Sequence, residues 1–171
     1  MRNITEITTD LEDSLKRLID QIQEFTAENF NSKPSPEIWS GAEVCEHLYV
    51  LEYSVCKILT GETKENNRDP EQKIALMSQA MANFEQKVAA PDSMKPLGKA
   101  RTQAEMIEKL QKVRQNLLEI SQNPIYDLSL ACTSAKHPYF GVLTRIEWIY
   151  MIVLHGNRHL QQMKGICAQV K

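Results

Sequence analysis

Thr144-Arg-Ile-Glu147-Trp148-Ile-Tyr-Met-Ile-Val-Leu154-His155-Gly-Asn-Arg-His159-Leu-Gln-Gln162-Met163 is the stretch that decides the fold class. A threonine followed three residues later by glutamate is a capping box, each side chain satisfying the other's backbone N–H at a helix start. Behind it Trp148, Ile152, His155, His159, Met163 and Ile166 recur at steps of three and four, the period of one helix face. The helix is expected to run to about Gly165 or beyond. The same start signal appears at Ser40-Gly-Ala-Glu43 and Thr102-Gln-Ala-Glu105. The first opens a helix from about Gly41 to Thr60, stopped by Gly61; the second carries Met106, Leu110, Val113, Leu117 and Ile120 to Asn123-Pro124. Upstream, Ile4, Ile7, Leu11, Leu15, Leu18, Ile22 and Phe25 make a long amphipathic helix that ends before Pro34-Ser-Pro36. A fifth helix begins with Pro70 in its first turn, follows Ile74, Met77, Met81, Phe84 and Val88, and stops at Pro91.

Pro91 to Gly98 reads as an extended connector and Tyr126 to Phe140 as irregular chain. The expectation is an all-α, up-and-down four-helix bundle with an additional helix between the second and third long helices, one domain over residues 1–171. Composition agrees: 171 residues contain only six glycines and seven prolines, and most of these fall at segment ends. Gly156, inside the last helix between His155 and His159, is an exception. It costs about 1 kcal/mol relative to alanine, which close helix packing or room beside a metal would offset.

Twenty Lys and Arg against 22 Asp and Glu leave a net charge of −2, with no basic excess to neutralise a nucleic acid backbone. The longest apolar run, Trp148 to Leu154, is far shorter than the roughly 18–20 residues of a membrane span. Met1 to Glu6 carries no secretory or transit signature, so the expected location is the cytoplasm. Cys45, Cys56, Cys132 and Cys167 form no C-x-x-C pair and are expected to be reduced structural thiols.

Three of the four histidines fall on apolar helix faces. At about 100° per residue, His155 and His159 lie on adjacent turns in the middle of the last helix's stripe. His47 is centred on a sector of the second helix that holds Glu43, Val44, Val50, Leu51, Ser54 and Ile58. Burying three imidazoles requires partners for all their ring nitrogens. Two readings satisfy that: core histidines bonded to carbonyls, Gln162 or Glu43, or a divalent metal held by His47, His155 and His159 with coordination positions left open. His137, in the turn His137-Pro-Tyr-Phe-Gly141, is read as a loop residue outside the site. Gly156 stands where a zincin carries its glutamate, and Val44, Ile152 and Gly156 stand where a ferritin-like site needs Glu-x-x-His. Neither a Gly-rich phosphate loop nor G-x-S-x-G is present.

Trp39-Ser-Gly-Ala-Glu-Val-Cys-Glu-His47, His137-Pro-Tyr-Phe-Gly-Val-Leu-Thr-Arg-Ile-Glu-Trp148 and His155-Gly-Asn-Arg-His159-Leu-Gln-Gln162 resemble the landmarks of the DinB-like superfamily in its YfiT-type branch, over nearly the whole chain. The resemblance implies a four-helix bundle binding a divalent metal, zinc or nickel, through His47, His155 and His159. It also implies homodimers and transfer of a low-molecular-weight thiol such as bacillithiol to a small electrophile. Arg158, at the edge of the histidine sector, is a candidate for a carboxylate of such a cofactor or for a solvated surface position. Glu43 and Gln162 are candidates for hydrogen bonds to the ligands, with helix capping the competing role for Glu43. Two other functions stay open: hydrolysis by metal-bound hydroxide, and a non-catalytic metal-binding bundle. For the dimer, the apolar run Trp148 to Leu154 offers either a face for a second copy or a helix enclosed by its own chain.

Overall fold

The computed structural model describes residues 3–84 and 90–171. Its helices are α1 (Ile4–Gln23), α2 (Gly41–Leu59), α3 (Ile74–Ala82), α4 (Gln103–Gln122) and α5 (Arg145–Val170). Two short strands, β1 (Thr63–Lys64) and β2 (Ala131–Cys132), pair antiparallel with Thr63 opposite Cys132. Strands of two residues leave no alternation to read, and β2 lies within the stretch Tyr126 to Phe140 expected to be irregular.

Helix starts follow side-chain chemistry. Closed capping boxes begin α2 at Ser40/Glu43 and α5 at Thr144/Glu147, and a further one begins α1 at Asn3/Glu6. At α4 only half of the expected box forms. Thr102 accepts from the Glu105 amide, while the Glu105 carboxylate is drawn to Arg101 and Lys109 at 3.1 and 2.8 Å. The additional helix is shorter than its apolar spacing suggests. It stops at Ala82, and Asn83 is extended. Phe84 is exposed, with the Arg158 guanidinium 5.5 Å from its ring centroid; Val88 lies outside the described residues. The connector before α4 also departs from expectation, with Asp92–Met94 closing a 3₁₀ turn.

Helix α1 packs on α4 and α5, α2 packs on the same two, and α3 lies against α5. The first two long helices are therefore diagonal rather than adjacent, an order permitted by the long links at 24–40 and 123–144. One core cluster gathers Ile7, Leu11, Val55, Leu117 and Ile149; the other gathers Leu18, Ile22, Phe30, Leu48, Leu110 and Met163. Gly41 is needed for the second, since a Cβ there would lie 2.9 Å from the Phe25 ring. Trp148 to Val153 is buried within this one chain, so the run offers no face to a second copy. Among the described residues no helix is long and apolar enough to cross a membrane.

Candidate metal centre

The capping box at Ser40 starts α2 so that His47 faces α5, and the box at Thr144 sets the register that brings His155 and His159 to meet it. His155 Nε2 lies 3.4 Å from His47 Nε2 and 3.1 Å from His159 Nε2. One ligand atom from each ring falls within 4.8 Å of the others. Two nitrogens each bound at about 2.0–2.1 Å to one tetrahedral ion stand roughly 3.3 Å apart, so the spacing suits a shared cation.

Proton positions follow from the partners. A carbonyl only accepts, so His47 Nδ1 donates to Met94 O at 2.8 Å and its Nε2 presents a lone pair. His159 Nδ1 donates to Gln162 Oε1 at 2.7 Å, leaving its Nε2 in the same state. One proton on His155 Nε2 serves one of these lone pairs and not the other. His155 Nδ1 is buried with no hydrogen-bond partner among the described residues, although the residue as a whole is only partly buried. Among the described residues the cluster is under-satisfied, and a Lewis acid at the convergence point would satisfy it.

Burial holds all three rings neutral. Desolvation lowers the His47 pKa against the opposing pull of the Met94 bond. It brings His159 to about 3, with the neighbouring His47 adding to the effect. For His155, desolvation and then the charges of His159 and His47 push protonation well below the ordinary value. Neutral imidazole is the ligating form, so the cluster is ready to bind a cation at pH 7.

The DinB superfamily matches residues 10–163 of this chain. The chain belongs to the DinB superfamily. A relative in Bacillus subtilis (strain 168), named "Uncharacterized protein YuaE", is 30% identical over 153 residues, covering 88% of this chain and 91% of its own. No solved structure matches.

Around this DinB-type centre the other candidate residues divide. Gln162 is in contact, as the bond to His159 shows. Glu43 is not: its carboxylate accepts from the Ser40 amide at 2.9 Å and pairs with Lys33 at 3.2 Å, so capping takes it. The Arg158 guanidinium donates to Met81 O and Asn83 O at 3.0 and 2.7 Å, capping the end of α3 from α5. The turn at His137 is tied by paired backbone bonds to Gly141, whose φ of +66° suits glycine. Apart from its chain neighbours and the backbone of its own helix, no described heavy atom comes within 4 Å of a Cβ built on Gly156, so close packing against the described residues does not account for that glycine.

Two contributors went unseen in the sequence. Met94 acts through its backbone carbonyl, which leaves no mark in residue type. Trp39 places its ring 5.1 Å from that of His47; its proximity in sequence to the capping box was the available signal. All four cysteines are free. Burial raises the Cys45 thiol far above its ordinary value, Cys56 to about 12 and Cys132 to about 11.

Proposed function

We propose that His47, His155 and His159 bind one divalent metal, zinc or nickel, and that the protein transfers a low-molecular-weight thiol onto a small electrophile. The observation that carries this reading is the convergence of three neutral Nε2 atoms, with the opposite nitrogens of His47 and His159 anchored. Imidazole suits both metals. When bound, the ion supplies a positive charge that lowers the thiol's pKa from about 8.5 and holds the thiolate as nucleophile.

This chain's residues do the rest. The Met94 carbonyl and Gln162 fix the rings of His47 and His159 and keep their protons on the side away from the centre. The ligand set contains no carboxylate or protein thiolate, so nothing in it neutralises the ion, and an anionic fourth ligand is favoured. The Trp39 ring walls the His47 side. A cytoplasmic setting, where small thiols stay reduced, fits this reading.

Elemental analysis of purified protein is expected to find about one divalent metal per chain, lost in His155→Ala; full occupancy in that variant overturns the site. Turnover of a generic electrophile is expected only with added thiol. Hydrolysis without thiol replaces the transferase by a metal-dependent hydrolase. The homodimer is a separate proposal: light scattering is expected to give twice the chain mass, and a monomer at micromolar concentration rejects it.

A further inference from the structure

Helix α2 carries an acid directly before His47, and both residues reach the connector that leads to α4. Glu46 is buried, and its two oxygens have separate partners. Oε1 accepts from the Arg101 guanidinium at 2.6 Å, and Oε2 accepts from the Leu97 amide at 3.0 Å. His47 donates from Nδ1 to Met94 O at 2.8 Å. One residue of α2 thus gives a hydrogen bond to the connector, and its neighbour takes one from the same segment three residues further on.

Polar ties are what fix this segment. Residues 91–100 are all exposed or partly buried, and the Leu97 side chain points largely to solvent. Asn31 pairs with the backbone N–H and C=O of Arg101 at 2.9 Å each, which secures the far end. Met94 packs its side chain against one core cluster, but apolar contact is non-directional and does not aim a carbonyl. Only Lys95 and Pro96 stand between the Met94 carbonyl and the Leu97 amide, and proline locks one of their torsions. Anchoring Leu97 therefore leaves the Met94 carbonyl little room to swing. The anchor is firm, because the Glu46 carboxylate is itself held by a charge-assisted bond to Arg101.

What depends on this for His47 is its tautomer. The Trp39 ring lies 5.1 Å from the imidazole, yet an indole N–H only donates and offers nothing to Nδ1–H. Met94 O is the acceptor that holds the proton there. Without it the proton is free to move to Nε2, the atom that faces His155 at 3.4 Å. We infer that Glu46 is a positioning residue: by holding Leu97 and Arg101 it aims the Met94 carbonyl at His47 and keeps the Nε2 lone pair available to a metal. This role rests on the metal reading for its effect on affinity and on the hydrogen bonds alone for its effect on the tautomer. His159 is oriented by Gln162 on its own helix, outside this chain of contacts, and serves as the internal control.

Two variants cut the tie from opposite sides. Glu46→Ala removes the acceptor and leaves Arg101 paired with Glu105. Leu97→Pro removes the amide donor at an exposed position and leaves α2 unchanged. In metal-free protein at neutral pH, long-range nitrogen–proton correlation spectra of the histidine rings are expected to show wild-type His47 in the Nδ1–H form. Both variants are expected to show a mixture with the Nε2–H form, with His159 unchanged. Zinc(II) affinity, measured by competition with a chelator, is expected to fall about tenfold in both, the lower end of the range for partners that bond a ligand directly. An unmoved His47 tautomer in either folded variant, a shift that reaches His159 equally, or zinc affinity unchanged in both overturns the role. If Glu46→Ala does not fold, Leu97→Pro decides alone. If wild-type protein takes up no zinc, the metal reading falls by itself and the tautomer spectra decide.

Discussion

Helix α2 faces two buried polar clusters that are built on opposite terms. Toward α4, Glu52 meets Arg114, and both side chains are about 1% exposed. The Arg114 Nε and one terminal nitrogen bond the two Glu52 oxygens at 3.1 and 2.5 Å, and the other terminal nitrogen bonds Leu11 O and Ser14 Oγ at 2.8 and 2.6 Å. Charge and hydrogen-bonding capacity are matched inside the chain, and three helices are tied together. Toward α5, His47 meets two histidines with surplus lone pairs and a buried nitrogen that has no partner among the described residues. A matched buried cluster needs nothing from outside; a mismatched one is completed by a ligand. The contrast separates structural from functional polarity more sharply than burial does, since both clusters are buried.

Breaking the matched cluster carries the largest expected effect. Arg114→Met leaves Glu52 buried without its partner and is expected to cost about 3–5 kcal/mol in urea unfolding, whereas replacing both residues by apolar ones recovers most of the loss. The mismatched cluster responds to metal instead. At a hundredfold excess over Kd, wild-type protein gains about 2.7 kcal/mol, read as a raised Tm, and His155→Ala gains none.

Gln162→Ala tests the anchoring of one ligand. Metal affinity is expected to fall about 10- to 100-fold in competition with a chelator, with little change in the melting of metal-free protein. Protons probe His159 of that cluster together with His137, which lies outside it. The folded pKa values of His137, about 4, and His159, about 3, lie below the ordinary 6.5, so the unfolded chain binds more protons between these limits. Stability of metal-free protein is therefore complete above about pH 6.5 and is expected to decline as pH falls toward 3. Chemical denaturation across that range checks it. The smallest effect belongs to the half-formed cap: Thr102→Ala is expected to cost about 1 kcal/mol, and Glu105→Gln less than that, because its carboxylate makes exposed ion pairs.

What was legible in the sequence follows the same division. Helix starts announce themselves through side chains, so Ser40, Thr102 and Thr144 mark α2, α4 and α5. The histidines declare a common face because spacing converts directly into angle. Features made by backbone or by distant partners do not appear. The Met94 carbonyl orients His47 from a connector that composition describes only as extended, and Arg158 looks like a surface or ligand-binding residue until the end of α3 meets it. The additional helix was overextended because Phe84 continues the apolar period, yet its ring lies under a guanidinium at the surface. Nor does periodicity show which long helices are neighbours, since α1 and α2 would have the same stripes side by side or diagonal.

The burial of the cysteines bears on chemical self-protection. Under the proposed thiol transfer an electrophilic substrate meets the protein's own sulfurs too, and a thiolate is the form it attacks first. Burial keeps the Cys45, Cys56 and Cys132 thiols protonated far above physiological pH. Packing around the core thus also keeps these three sulfurs in the poorly nucleophilic thiol form.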